Sequence, residues 1–299
     1  MSDISAYKKT PDIVAAVDAL PPLRDVIAAH ELRAEKKLGQ NFILDLNITD
    51  KIARAAGDLN GVVAIEIGPG PGGLTRALVR SDADRVLAVE YDTRAIAALQ
   101  GLKEAAGPRL DLVHADALKL NLLDLVPGAR RAIIANLPYN IATPLLIGWL
   151  KQWHADPQAY DSITIMVQRE VAERMSAAPG TDHYGRLSVL VGWLCKATMM
   201  FDLPPSAFVP PPKVTSTVVH LTRHAVTGAE AGTAQIPSFK TVERVTAAAF
   251  GQRRKMLRQS LKTFPGLLES CGIDGTKRAE QLPVSDFLAM AAHLDQTGV

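Results

Sequence analysis

The stretch Val62-Val63-Ala64-Ile65-Glu66-Ile67-Gly68-Pro69-Gly70-Pro71-Gly72-Gly73 decides the fold. Its first six residues form a short, mostly apolar run that ends in Gly-rich sequence. This is the pattern of a strand buried on both faces of a parallel sheet, feeding a tight turn into a helix. Leu74 to Arg80 supplies that helix. The same unit then recurs downstream. Arg85 to Glu90 reads as a strand, Thr93 to Ala105 as a helix, and Leu110 to His114 and Ala132 to Ala135 as further strands. Pro144 to Trp153 reads as a helix with proline in its first turn, where the missing N–H costs nothing. Ile163 to Val167 is another strand. Alternation of this kind predicts an α/β, doubly wound sheet. Ala197 to Phe201 and Val214 to Leu221 are strands joined by the Pro-rich Leu203 to Lys213, which suggests an antiparallel pair closing the sheet.

Outward from this centre, the order of the chain suggests four parts. Residues 1–19 are weakly patterned and read as a loosely attached N-terminal extension. Residues 20–223 hold the α/β domain, opened by a helix from Leu23 to His30 after Pro21-Pro22. A loop from Arg33 to Asp45 comes next, then a helix capped by Asn47 or Thr49. Residues 224–238, rich in Ala, Gly and Thr, read as a linker. Residues 239–299 have helical periodicity, broken at Gly251, Pro265-Gly266, Gly272 and Pro283, and read as a small helical domain.

Composition narrows the function. The 299 residues are 47% hydrophobic, enough for a large core and a companion domain. Net charge is only +2, so any nucleic-acid contact must come from a local patch. The cysteines, Cys195 and Cys271, lie far apart with no metal-ligand spacing, so neither zinc nor any other metal is expected. Met1 to Thr10 lacks the apolar core of a signal peptide. No apolar run reaches the ~18 residues of a membrane span. The expectation is a cytoplasmic protein that acts as a monomer.

Gly68, Gly70 and Gly73 satisfy the spacing GxGxxG, so a dinucleotide must be considered. A pyrophosphate, however, needs backbone N–H donors, and Pro69 and Pro71 supply none. Glu90, ending the next strand, can accept from ribose hydroxyls. Asp116, after the third strand, can accept from an adenine amine. Together they clasp an adenosine by sugar and base, which favours S-adenosyl-L-methionine over NAD. Asn136-Leu137-Pro138-Tyr139 follows the fourth strand, at the carboxyl end where open sheets place ligands. An exocyclic adenine amine is a poor nucleophile because its lone pair is delocalised into the ring. The Asn136 side-chain oxygen and the Leu137 carbonyl, held extended by the following proline, can draw the amine toward tetrahedral geometry. Tyr139 offers a face on which an extracted base can stack. The amine then attacks the methyl in line, and water can take the proton, so no strong base is needed.

With these residues in view, the chain resembles the KsgA-type rRNA adenine dimethylases from about residue 20 to its end. The matching stretches are Leu38-Gly39-Gln40-Asn41-Phe42, Glu66-Ile67-Gly68-Pro69-Gly70, Asn136-Leu137-Pro138-Tyr139, Tyr184-Gly185-Arg186-Leu187-Ser188, Phe208-Val209-Pro210-Pro211-Pro212-Lys213-Val214 and Gln252-Arg253-Arg254-Lys255. The resemblance implies a Rossmann-like class I methyltransferase sheet with a C-terminal helical domain. It implies dimethylation of N6 on two adjacent adenosines near the 3′ end of 16S rRNA, in an immature small ribosomal subunit. It places Asn41, Ile43, Gly68, Glu90, Asp116 and Asn136 around S-adenosyl-L-methionine, Asn136 and Leu137 on the target amine, and Tyr139 and Phe208 on either face of the adenine. Three departures stand out: the length of residues 1–19, Ile43 where leucine is expected, and Gly192-Trp193 where a polar residue is expected.

Between Gln252 and Lys262 lie Arg253, Arg254, Lys255, Arg258 and Lys262, with no acid among them. Arg254, Arg258 and Lys262 recur every four residues, which predicts one stripe on a continuous helix that contacts RNA phosphates. Three rival functions remain. A NAD-dependent oxidoreductase would need a hydride-transfer acid or base and a phosphate-binding loop. A large-subunit rRNA adenine methylase is disfavoured by the Phe208 to Val214 loop and the C-terminal domain. A non-catalytic ribosome-assembly or transcription factor is disfavoured by the intact Glu90, Asp116 and Asn136.

Overall fold

The computed structural model describes residues 9–32, 40–224 and 236–298. Among these, the chain first forms α1 (Pro11–Asp18), α2 (Leu23–Ala29), the short strand β1 (Phe42–Ile43) and α3 (Leu46–Ala55). The alternation follows as β2 (Val62–Ile67), α4 (Gly73–Arg80), β3 (Arg85–Glu90), α5 (Thr93–Ala98), α6 (Gln100–Ala106), β4 (Leu110–His114), α7 (Leu122–Leu125), β5 (Arg130–Asn136), α8 (Tyr139–Ala155) and β6 (Ser162–Gln168). Next come α9 (Arg169–Ser176), α10 (Arg186–Leu194), β7 (Cys195–Leu203), β8 (Phe208–Val209) and β9 (Ser216–Arg223). The C-terminal helices are α11 (Phe239–Phe250), α12 (Leu257–Ser260), α13 (Leu267–Ser270) and α14 (Val284–Thr297).

The sheet order is β4-β3-β2-β5-β6-β9-β7. The first five strands are parallel and β9 runs antiparallel to β6. The fold is therefore the α/β sheet that the alternation predicts. All six residues of β2 are buried, as a central parallel strand requires. Strand order reverses between β2 and β5, and a crevice outside the carboxyl ends of two such strands is where open sheets bind ligands. Gly68 follows β2 at that point, and Asn136 is the last residue of β5.

The chain divides into two compact units. One comprises Met1–Trp149, Asp156–Arg169 and Thr198–Thr222, and the other Leu150–Ala155, Glu170–Ala197 and Arg223–Val299. The second unit thus takes in two segments that the sequence order assigns to residues 20–223. Aromatic packing within that unit accounts for this. Tyr184 meets Phe250 at 6.0 Å, Phe250 stacks on Phe287, and Trp193 stacks on Phe239 at 5.7 Å with His154 beside both. Trp193, one of the departures from the resemblance, is 3% exposed and belongs to this packing. Glu243 of α11 takes ion pairs from Lys151 at 2.9 Å and Arg186 at 2.8 Å. Most of the expected linker, residues 225–235, lies outside the described residues.

Several local expectations change. The N-terminal extension is not loosely attached where it is described. Thr10 caps α1, Val17 joins the core of the first unit, and Asp18 pairs with Arg80 of α4 at 3.0 Å. Asp45, rather than Asn47 or Thr49, caps α3, because its carboxylate accepts from the Asn47 N–H at 2.9 Å while Thr49 is buried. The predicted helix over Thr93 to Ala105 is two helices that meet at Leu99. Pro144 sits inside α8 rather than in its first turn. The helix starts earlier because the Pro138 carbonyl already accepts from the N–H groups of Ile141 and Ala142.

The basic cluster also departs from its expected form. α11 ends at Phe250, Gln252 to Lys255 form a turn, and in the rest of the cluster up to Lys262 only Leu257–Ser260 is helical. The Leu257 and Arg258 N–H groups donate to the carbonyls of Lys277 and Gly275, so they cannot extend α11. Arg254, Arg258 and Lys262 are therefore not a stripe on one helix. Arg253, Arg254, Lys255, Arg258 and Lys262 are all exposed. The Arg253 guanidinium donates to the carbonyls of Asp182 and Tyr184.

Candidate active site

One cavity at the reversal of strand order is lined by Asn41, Ile43, Gly68, Glu90, Asp116, Asn136, Leu137 and Tyr139. Eight of the positions singled out from the sequence thus meet in one place within the first unit. Backbone geometry explains why. Gly68 has φ +70° and Gly70 φ +55°, a region L side chains rarely adopt. A Cβ on Gly70 would also meet the Phe42 ring at 2.9 Å, so the Gly-rich turn packs directly against the segment leading into β1.

Glu90 is 6% exposed at the end of β3. Its Oε1 accepts from the N–H groups of Tyr91 at 2.7 Å and Asp92 at 2.8 Å, and its Oε2 accepts from the Gly70 N–H at 3.1 Å. The carboxylate is the hinge pin between the Gly-rich turn and the turn after β3. Burial raises its pKa, opposed by those three backbone donors. A carboxylate offers about four acceptor positions, so roughly one remains on Oε2 for a ligand. Asp116 is only partly buried. It accepts from the Leu118 N–H at 3.0 Å, and Lys119 approaches it at 3.5 Å.

Asn136 is fixed by its own amide. The Nδ2 donates to the Asn41 carbonyl at 3.2 Å, which leaves Oδ1 free of that contact. Tyr139 opens α8, and its hydroxyl shares a 2.6 Å hydrogen bond with the Ser216 hydroxyl. Burial raises the Tyr139 pKa, so the phenol is neutral at physiological pH.

Phe208 departs from the expected site. It is 2% exposed, packs in the core of the first unit, and does not line the cavity. β8 pairs antiparallel with β1, placing Phe208 opposite Ile43 and Val209 opposite Phe42. In this structure the Phe208-Val209 segment buttresses the cavity wall rather than displaying a ring. Lys36 to Gly39 lie outside the described residues.

Glu66 is not among the site positions expected from the sequence. It lines the cavity, is 1% exposed, and its Oε2 has no hydrogen-bond partner. Burial, with the charge of Glu90 adding to it, pushes its carboxyl up to about 8. An acid in the middle of an otherwise apolar strand was the available signal. Among the described residues, the cavity lining holds the carboxyls of Glu66, Glu90, Asp92 and Asp116 and neither a lysine nor an arginine. With Glu66 largely protonated near neutral pH, the remaining carboxylates suit a cation and oppose a pyrophosphate.

Residues 31–296 match the family described as ribosomal RNA adenine dimethylase. The chain is 54% identical over 288 residues to "Ribosomal RNA small subunit methyltransferase A" of Rhodopseudomonas palustris strain HaA2, covering 94% of this chain and 96% of that one. Its identity to the protein of the same name from Azorhizobium caulinodans is 52% over 285 residues, covering 93% and 94%. Among solved structures, a dimethyladenosine transferase from Plasmodium falciparum superposes with a TM-score of 0.68 at 26% identity, over 85% of this chain and 98% of that one. The 23S rRNA methyltransferase ErmE shares the fold, with a TM-score of 0.61 at 24% identity over 86% and 100%. With its sheet, its Gly-rich turn and its Asn136-Leu137-Pro138-Tyr139 loop in the places described, the chain belongs to the ribosomal RNA adenine dimethylase family.

Proposed function

We propose that the chain dimethylates N6 of two adjacent adenosines near the 3′ end of 16S rRNA, within an immature small ribosomal subunit in the cytoplasm, with S-adenosyl-L-methionine as methyl donor. The observation that carries the choice of donor is the cavity lining, which among the described residues is rich in carboxyls and holds neither lysine nor arginine. S-adenosyl-L-methionine is cationic at its sulfonium and ammonium groups, and NAD carries a pyrophosphate. The name shared by the relatives with more than half their residues in common supports the small-subunit substrate.

The bound donor supplies an electrophilic methyl group on sulfur. The protein's own groups do the rest. Glu90 Oε2 and Asp116 hold ribose and adenine, and Asn41, Ile43 and Gly68 shape the wall around them. Asn136 Oδ1 and the Leu137 carbonyl accept from the target amine and expose its lone pair. The Tyr139 ring carries the target base. Catalysis is positioning and electrostatics, without a dedicated base.

The test is methylation of purified ribosomal subunits that lack the modification, with labelled donor. The expected product is N6,N6-dimethyladenosine near the 3′ end of small-subunit rRNA. Label confined to large-subunit rRNA, or donor binding weaker than NAD binding, would overturn the reading.

Arg254, Lys255, Arg258 and Lys262 are exposed, with no acidic partner among the described residues, and we assign them to RNA phosphates. Arg253 contributes less, since it already holds the Asp182 and Tyr184 carbonyls. Each phosphate contact adds roughly 0.7 to 0.9 to the slope of log affinity against log salt. Replacing Arg254, Arg258 and Lys262 by Gln is expected to flatten that slope by about two units, with cofactor affinity unchanged. An unaltered slope in a salt titration against immature subunits would make the cluster a solvated surface.

A further inference from the structure

The Tyr139 hydroxyl is bonded to Ser216, a residue that lies outside the cavity lining and that no motif in the sequence marks. Ser216 is the first residue of β9 and is fully buried. It is also rigidly mounted. It pairs with Gln168 at the end of β6. On one side, the Thr215 carbonyl accepts from the Arg169 N–H at 3.0 Å. On the other, the Thr217 hydroxyl donates to Asp202 Oδ1 at 2.6 Å, while Asp202 Oδ2 takes Arg169 at 2.8 Å. The residues flanking Ser216 are thus pinned to a strand end and to an ion pair.

Tyr139, in contrast, is half-buried at the first position of α8, directly after the loop that presents Asn136 and Leu137. A ring held only by its Cα–Cβ stem can rock about two torsions. A ring bonded at its far end as well cannot. A base stacked on a rocking ring carries its amine through an arc, and displacement of about 1 Å from the productive geometry can cost on the order of a hundredfold in rate.

We infer that Ser216 is a positioning residue for the target adenine: it anchors the Tyr139 phenol and so fixes the plane on which the base stacks relative to Asn136 and Leu137. This rests on the reading of Tyr139 as the platform for the base. Ser216 is not among the residues lining the cavity, so its loss leaves the chemistry intact and loosens only the alignment. The rate penalty is that of one anchoring hydrogen bond, about three- to tenfold.

The experiment measures kcat and the KM for the methyl donor, on immature small subunits at saturation, for Tyr139→Phe, Ser216→Ala, the double variant and Tyr139→Ala. Tyr139→Phe removes only the hydroxyl and keeps the ring. The expected result is a kcat about three- to tenfold lower for Tyr139→Phe and for Ser216→Ala. The double variant is expected to be no slower than either, the KM for donor unchanged, and Tyr139→Ala much slower than all three. A purely structural role for Ser216 would give effects that multiply in the double variant, or a fall in thermal stability with full turnover in the folded fraction, and either overturns the proposal. Full turnover in Tyr139→Phe overturns it even if Ser216→Ala does not fold. Wild-type turnover in Tyr139→Ala would instead remove Tyr139 as the platform, so the two failures are distinct.

Discussion

Asn136→Ala is expected to lose methyl transfer by more than about a hundredfold in kcat, the range seen when a single preorganised polar group is removed from a reacting centre. The structure gives this expectation a direction. Asn136 donates through Nδ2 to the Asn41 carbonyl, so the amide cannot turn freely, and Oδ1 is the atom left to accept from the target amine. Asn136→Asp therefore should not rescue the reaction. It keeps an acceptor but sets a carboxylate oxygen against the Asn41 carbonyl, with no proton between them. Single-turnover methylation of immature subunits, beside calorimetric donor affinity, separates chemistry from binding. A modest loss of donor affinity fits the position of Asn136 on the cavity wall. Near wild-type turnover in either variant would show that the amine is not activated there.

Glu90→Ala is the second large effect. Its carboxylate accepts from the backbone of Gly70, Tyr91 and Asp92, so the substitution removes the ribose contact and also strands three N–H groups beside the cavity. The lost charged hydrogen bond alone amounts to ~1.5–3 kcal/mol, or roughly ten- to 150-fold in affinity for S-adenosyl-L-methionine. The released turn adds to this. Glu90→Gln is expected to be milder toward the ribose, yet its amide brings N–H groups to an atom now facing N–H donors. Unchanged affinity in calorimetry for Glu90→Ala would remove the residue from the cofactor site.

The legible part of the molecule is local chemistry on a regular frame. Strands β2, β3 and β4 follow from their apolar runs, and Gly68, Glu90, Asp116 and Asn136 follow from standing at strand ends. Their convergence needs only the rule that parallel strands present their carboxyl ends on one edge. What the pattern does not carry is set by partners distant in sequence. The Arg254, Arg258, Lys262 spacing is helical, but the carbonyls of Gly275 and Lys277 capture the backbone that a helix would use. Phe208 is drawn inward by pairing with β1, which lies far earlier in the chain. Val17 is buried because α1 finds the core of the first unit, and nothing within residues 1–19 signals that surface. Glu66 was legible as an anomaly, an acid amid valine and isoleucine, but its neighbours across the crevice were not.

The place of β9 in the sheet has a consequence for how the chain is made. β9 lies between β6 and β7, although β7 precedes it in sequence. During synthesis β7 emerges with no permanent neighbour, and it must wait beside an open edge until Ser216–Arg223 arrives to be inserted. Such late, non-local pairing is slow and leaves strand edges exposed to other chains. The second unit waits longer still, because Leu150–Ala155 and Glu170–Ala197 pack with residues from Arg223 onward. A nascent chain stalled near residue 223 would hold a nearly finished sheet and unsheltered aromatic segments, a species suited to chaperone capture. The helical region is thus no detachable appendage, and the ribosome must finish its last stretch before Leu150–Ala155 and Glu170–Ala197 can be enclosed.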